Sequence, residues 1–226
     1  MQSIRILVPV AFVLSTAGVA AAHVSLASGP AAANKSQKVT FGVGHGCEGA
    51  DTVKVRVAIP PTFTGVRALR SDFGKATVER DAADVITAIT WEKPDGELLD
   101  DDYGYYELTI RGRTPDAPFT RLTFVVTQTC RTAGGVETVV QWDGVENEAP
   151  ELVITPSHQA GWNRYTVAAA VAEEDLPTYL GDALIVWRGT AAYTSNPNTL
   201  AQIQATSGVT VLTGGLAAND EIWVKY

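Results

Sequence analysis

The sequence is poor in cysteine, in histidine and in clustered positive charge. It has two cysteines and three histidines in 226 residues, and 17 Lys and Arg against 25 Asp and Glu give a formal net charge of −8. Phosphate binding needs clustered cations, so the lack of a basic patch argues against a nucleic acid partner. Serine-nucleophile motifs, phosphate-binding loops and paired catalytic carboxylates are also missing. We therefore expect neither a hydrolase nor a nucleotide-binding protein.

Long apolar runs are confined to the first 22 residues. Arg5 precedes an almost unbroken apolar stretch from residue 6 to residue 19, and three alanines at 20–22 then supply a cleavage site. This is the pattern of a secretory signal peptide, and the stretch is shorter than the roughly 20 residues of a spanning helix. We expect cleavage between Ala22 and His23, no membrane span in the mature chain, and a periplasmic or secreted protein. Loss of Arg5 changes the net charge from −8 to −9.

Cys47 and Cys130 are the only cysteines. An even number of cysteines in an exported chain favours a disulfide. The bond would close a loop over 83 positions (130 − 47), which contributes about 4 kcal/mol of stability in the chain-entropy model. A metal site of two thiolates is the alternative, but the Cys-x-x-Cys spacing that favours it is absent.

Alternating apolar residues predict many short strands before residue 156. Gly, Pro and Asp clusters separate them, and no long helical period occurs there. The predicted strands cover residues 37–43, 52–59, 85–91, 105–111, 122–127, 136–142 and 152–154. The expected fold is all-β, an immunoglobulin-like antiparallel β-sandwich over residues 23–158.

The last part of the chain, residues 159–226, has a different texture. We expect strands near residues 162–167, 183–187, 209–212 and 221–226, a short helical turn before residue 179, and a helix opened by Asn196 and Pro197 that runs to Ala205. These elements predict a small α/β appendage of unknown role. It is either a separate unit or an extension packed on the sandwich, since no clear linker precedes it.

His23 is the residue with the clearest potential for chemistry. Cleavage before it would leave a free α-amino group, and this amine and the imidazole Nδ1 can chelate one metal ion. Nitrogen-rich tetragonal coordination suits Cu(II). The amine must lose a proton to bind, so binding should strengthen as pH rises through neutrality. The alternative is that a histidine follows the cleavage site by chance.

Two other residues are candidates for a place near such a site. Glu107 lies in an alternating strand in which Leu108 and Ile110 would face the core, so its carboxylate would point the other way; alternatively it is a solvated residue paired with Arg111. His45 lies two residues before Cys47, where it is either a structural histidine with a backbone partner or a neighbour of the metal.

Several motifs in order resemble the YcnI-like family of exported copper-binding proteins over roughly residues 23–156. They are His-Val-Ser at 23–25, Val-Thr-Phe-Gly-Val-Gly-His-Gly-Cys at 39–47, Tyr-Glu-Leu-Thr-Ile-Arg-Gly at 106–112, Val-Thr-Gln-Thr-Cys at 126–130 and Val-Gln-Trp at 140–142. The resemblance implies a β-sandwich with a monohistidine brace for Cu(II), in which His23 and Glu107 hold the metal and Trp142 lies beside it. Leu108 stands where the family has an aromatic residue.

Three functions compete at this point. The first, which we expect, is a non-enzymatic Cu(II) carrier or chaperone. Its expected partners are the copper ion and another copper-handling envelope protein. The second is a copper-dependent oxidase or monooxygenase, which would need a second histidine, either His45 or His158. The third is a metal-free interaction module of the cell envelope.

Overall fold

The computed structural model describes residues 23–226. The predicted signal peptide therefore lies outside the described residues, which begin at His23, just after the predicted cleavage site. No helix among residues 23–226 is long and apolar enough to cross a membrane.

Twelve strands form the first part of the chain. In chain order they are β1 (Val24–Leu26), β2 (Ala31–Ala32), β3 (Ser36–Val43), β4 (Asp51–Ala58), β5 (Thr64–Ala68), β6 (Lys75–Arg80), β7 (Ile86–Glu92), β8 (Tyr106–Arg113), β9 (Thr120–Thr123), β10 (Val126–Arg131), β11 (Glu137–Trp142) and β12 (Glu151–Thr155). A single 3-10 turn, Asp95–Glu97, lies between β7 and β8.

The strands form two main antiparallel sheets that share one core. One sheet has the order β1-β3-β8-β5 and the other β11-β10-β4-β7-β6. Inward residues such as Phe41, Leu108 and Ile110 on the first sheet and Val57 and Trp91 on the second are fully buried in one cluster. A smaller sheet, β2-β12-β9, completes this part. The all-β sandwich expected from the alternation is confirmed.

The strand predicted at residues 122–127 is wrong as a single element. β9 ends at Thr123 and pairs with β12, whereas β10 begins at Val126 and pairs with β4. Between them, Phe124 is fully buried and packs edge-on against Phe41 and Phe63. The chain changes sheets at this point, and the sequence Leu-Thr-Phe-Val-Val-Thr at 122–127 does not reveal the change because its apolar residues continue across the break.

The predicted disulfide between Cys47 and Cys130 is confirmed. The two sulfur atoms are 2.04 Å apart and the Cα atoms 5.7 Å apart. Both cysteines are buried and pack with Ala50. The bond ties the turn before β4 to β10, its neighbour in the sheet.

The C-terminal part forms a further, five-stranded sheet with its own core. Its strands are β13 (Trp162–Thr166), β14 (Ile185–Arg188), β15 (Ala191–Tyr193), β16 (Thr210–Val211) and β17 (Glu221–Lys225), in the order β13-β17-β14-β15-β16. A 3-10 turn (Glu173–Asp175) leads into helix α1 (Leu176–Leu180), and helix α2 is Pro197–Ala205. The expected helix after Asn196 is present because the Asn196 side chain accepts hydrogen bonds from the amides of Asn198 and Thr199.

This second unit is packed on the sandwich. Phe119, which precedes β9, is buried in the C-terminal core and contacts the rings of Tyr165 and Tyr179. Arg121 on β9 forms an ion pair with Asp175 at 3.0 Å. The C-terminal sheet therefore has a separate core, but a residue of the sandwich completes it.

Candidate metal site at His23

His23 lies at the entrance to the edge strand of the first sheet. β1 begins at the next residue and pairs with β3, with Val24 opposite Val43. The His23 carbonyl accepts a hydrogen bond from the amide of Gly44 at 3.4 Å, which continues the ladder by one residue. The β1–β3 pairing therefore fixes the backbone of His23 while its side chain is exposed.

The His23 imidazole lies against the indole of Trp142. The ring centroids are 5.5 Å apart and the planes are tilted by 53°. Trp142 is the last residue of β11, at the edge of the facing sheet, and is 1% exposed. The tryptophan that the family resemblance placed beside the metal is thus in contact with the predicted chelating residue.

The side chain of Gln128 fixes the position of the Trp142 indole through a hydrogen bond. The Trp142 Nε1–H donates to Gln128 Oε1 at 3.2 Å, and Gln128 Nε2 donates to the His45 carbonyl at 3.0 Å and to Thr52 Oγ1 at 2.9 Å. An indole only donates and a carbonyl only accepts, so these partners fix the orientation of the amide. Gln128 is fully buried, and the sequence analysis missed it. The alternation of β10 places this polar residue at an inward-facing position, and that pattern could have identified Gln128 from the sequence.

His45 is next to the residue that pairs with His23. Its Nδ1 lies 2.8 Å from the carbonyl oxygen of Gly46 and 3.9 Å from Asp102 Oδ2, and its side chain is 31% exposed. A carbonyl oxygen only accepts, so in the neutral ring Nδ1 carries the proton and Nε2 keeps its lone pair. His45 therefore has the backbone partner expected of a structural histidine, and it retains one nitrogen that is able to bind a metal.

Glu107 is separated from His23 by a whole strand. Gly42 on β3 pairs with Ser25 on one side and with Glu107 on the other. Neighbouring strands are about 4.8 Å apart, so the backbones of Ser25 and Glu107 are about 10 Å apart, and His23 is two residues further along. Two atoms that share a metal ion lie within about 4 Å of each other. The register therefore places β3 between Glu107 and His23, so only their side chains could close this distance.

Glu107 lies in a surface pocket that is different from the pocket of His23. Arg70, Asp72 and Tyr105, among others, also line it. The predicted strand geometry is nonetheless correct, since Leu108 and Ile110 are fully buried and Glu107 is exposed.

Two other carboxylates line the pocket that contains His23. This open pocket of about 260 Å³ also includes Arg121, Glu148 and Glu151. Glu151 is held by Arg121 at 3.6 Å and by the hydroxyl of Thr123 at 3.2 Å, whereas Glu148 is exposed in the loop after β11. Within residues 23–226, no group of three or more His, Cys, Asp or Glu side chains is able to hold a metal ion. A metal site at His23 would therefore need a further donor, such as the α-amino group that cleavage before His23 would free.

A second polar cluster lies inside the sandwich. Lys93 Nζ is 2.5 Å from Asp51 Oδ2, and Tyr106 donates its hydroxyl to Asp51 Oδ1 at 2.7 Å. The amide of Leu99 also donates to Asp51 at 2.9 Å. Asp51 and Lys93 are almost fully buried. Burial first, and then the hydrogen bond to Asp51, raise the pKa of the Tyr106 hydroxyl. This cluster ties the loop after β7 to β4 and β8, and it was not predicted.

Residues 23–161 match the family described as a domain of unknown function, DUF1775, and the chain belongs to this family. This is the domain of the YcnI-like proteins, so the resemblance is confirmed at the level of the family. No protein with curated functional information matches the chain in sequence.

Two solved structures are similar to part of the chain. An uncharacterized protein from Nocardia farcinica with an immunoglobulin-like fold is 25% identical, with a TM-score of 0.49, and the match covers 58% of this chain and 97% of that one. The third cohesin ScaC of Acetivibrio cellulolyticus, solved in complex with the ScaB dockerin, is 14% identical, with a TM-score of 0.33, and the match covers 58% and 96% of the two chains.

Proposed function

We propose that this protein is an exported Cu(II)-binding protein that carries or buffers copper outside the cytoplasm, without catalysing a reaction. The observation that carries the proposal is the placement of His23. Its backbone is fixed by pairing with Gly44, and its imidazole lies on the buried indole of Trp142. An ordered N-terminal histidine presents two nitrogen donors in one chelate ring, which suits Cu(II).

The proposed ligands are the amine and Nδ1 of His23 with one further oxygen or nitrogen. Glu107 is the carboxylate implied by the family resemblance. Glu148 is the exposed carboxylate that lines the same pocket as His23, and His45 offers Nε2 from the segment next to it. Of the carboxylates we favour Glu148, because β3 lies between His23 and Glu107.

The location and the partner are part of the same proposal. A chelate at an exposed residue such as His23 leaves the ion within reach of a partner that offers more ligands. We propose that the mature chain acts in the periplasm or after secretion, and that it passes copper to another copper-handling envelope protein.

The decisive experiment compares two forms of the mature protein by Cu(II) titration and electron paramagnetic resonance. One form begins at His23, and the control carries Gly-Ser before it, which converts the amine into an amide. We expect one tightly bound copper with nitrogen hyperfine structure in the first form only. Equal binding by both forms, or no binding by either, would overturn the proposal.

A second series identifies the third ligand. The isosteric variants Glu107→Gln and Glu148→Gln and the variant His45→Ala are titrated in the form that begins at His23. We expect Glu148→Gln to weaken binding and to change the resonance spectrum, and Glu107→Gln to leave both unchanged. The opposite result would return the ligand to the carboxylate of β8.

A further inference from the structure

Three of the five tryptophans lie on one face of the C-terminal sheet. Trp91 and Trp142 are buried in the sandwich, whereas Trp162 and Trp223 are 52% and 49% exposed and Trp187 is half-buried. Trp223 is on β17, between β13 and β14, and pairs directly with Trp187 on β14. Directly paired residues of antiparallel strands share a face. Trp162, Trp187 and Trp223 are called the tryptophan face below.

Alternation along the strands shows that this face points away from the core. On β17, Ile222 and Val224 are fully buried, while Trp223 between them is half-exposed. Trp162 lies diagonally from Trp223, because it pairs with Lys225 two residues further along β17. Diagonal neighbours are about 7–8 Å apart, so the rings form a platform wider than one side chain. Such exposure of large apolar rings in a soluble unit marks an interaction surface.

Charged side chains are interleaved with the rings. The ammonium group of Lys225 lies 5.9 Å from the ring centroid of Trp162. Arg164 pairs with Trp223 across the strands, and its guanidinium group donates to the carboxylate of Glu221. Each ring on β13 and β17 thus has a charged side chain as its neighbour.

This mixture decides between classes of ligand. Insertion into a membrane or a dry protein interface would bury these charges at a high cost. A nucleic acid needs an excess of cations, but Arg164 is paired with Glu221 and the chain carries a net charge of −8. A sugar ring, in contrast, binds best to a surface that combines aromatic rings with charged or polar groups. Its C–H bonds pack on the negative face of an indole, and its hydroxyls accept from Lys and Arg and donate to Glu.

We propose that the tryptophan face is a carbohydrate-binding surface that attaches this exported protein to a polysaccharide. Sugar rings stack on Trp162, Trp187 and Trp223, and their hydroxyls bond to Lys225, Arg164 and Glu221. An exposed sheet face with three rings accommodates an extended sugar chain rather than a single enclosed sugar. The inference is independent of copper, since none of these residues belongs to the proposed metal site.

The test is co-sedimentation of the chain 23–226 with insoluble cellulose, chitin and peptidoglycan, in the presence of a copper chelator. We expect retention on at least one of these polymers, and an affinity about tenfold lower for Trp223→Ala and for Trp162→Ala. Tyr103→Ala removes an aromatic side chain that is 75% exposed but lies in a loop of the sandwich. It serves as the matched control and should bind as the unaltered chain does.

Three results would overturn the proposal. They are no retention on any of the three polymers, equal retention of the tryptophan variants, and binding to vesicles of anionic phospholipid that the same variants abolish. Far-ultraviolet circular dichroism of each variant checks that the sheet is intact. Copper titration of Trp223→Ala should match that of the unaltered chain, so failure here is distinguishable from failure of the copper proposal.

Discussion

The imidazole of His23 and the indole of Trp142 are in contact, with ring centroids 5.5 Å apart and planes tilted by 53°. The two residues are 119 positions apart in sequence (142 − 23) and come from the edges of facing sheets. The hydrogen bond to Gln128 fixes the orientation of the indole, so the imidazole of His23 packs against a ring that is held in place. A copper ion chelated by His23 would lie close to this tryptophan.

Tryptophan fluorescence therefore offers a first prediction. If copper binds at His23, Cu(II) should quench the emission of Trp142 in the form that begins at His23. Trp142→Phe should lose most of this quenching at the same amount of bound copper, counted by electron paramagnetic resonance. Trp91→Phe removes another buried indole and should retain the quenching. Quenching that survives in Trp142→Phe would place the ion elsewhere.

Gln128 should be essential for stability although it is polar. Gln128→Met keeps the size of the side chain but leaves the Trp142 N–H and the His45 carbonyl without their present partner. Unsatisfied buried groups cost about 1–3 kcal/mol each, so for these two groups we expect a loss of about 2–6 kcal/mol in the free energy of unfolding. Urea denaturation measures it. Gln141→Met is the control, because the side chain of Gln141 accepts only a surface hydrogen bond from the hydroxyl of Thr127, and the loss of stability should be under about 1 kcal/mol.

The buried pair of Lys93 and Asp51 predicts a strong effect of removing one charge. Lys93→Met leaves the Asp51 carboxylate buried without a cation, which should cost about 3–5 kcal/mol. Lys54→Met is the matched control, since Lys54 forms a surface ion pair with Glu92 at 2.9 Å and such pairs contribute about 0–1 kcal/mol. Equal urea midpoints for the two variants would contradict this account.

Tyr106 predicts a dependence of stability on alkaline pH. The native structure raises the pKa of its hydroxyl, so above about pH 10 the unfolded chain loses the proton while the folded chain keeps it. The contribution of Tyr106 is therefore complete below this pH and decreases as pH rises. Between pH 8 and pH 11, the urea midpoint should fall less in Tyr106→Phe than in the unaltered chain. Tyr105→Phe, which removes an exposed neighbouring hydroxyl, should keep the unaltered slope.

Much of the fold was predictable because the signals are local. The alternation of Val39, Phe41 and Val43 identifies the inward face of β3, and Asn196 followed by Pro197 identifies the start of α2. The disulfide was predictable because the chain offers only one pair of cysteines. The break at Phe124 was not, because a change of sheet depends on which strands are available as partners, and that information is distributed over the whole chain.

The sequence by itself determined most of the longer strands and the disulfide partners, and it pointed to the chelating potential that His23 would have at a cleaved N-terminus. Only the tertiary structure decided which residues surround it. Strand pairing in a sheet is set by register and by facing layers, so it brought Trp142, which Gln128 holds, to His23 and left Glu107 beyond β3. The same pairing placed Trp162, Trp187 and Trp223 on one face, because β13, β14 and β17 are far apart in sequence and become neighbours only when the sheet forms.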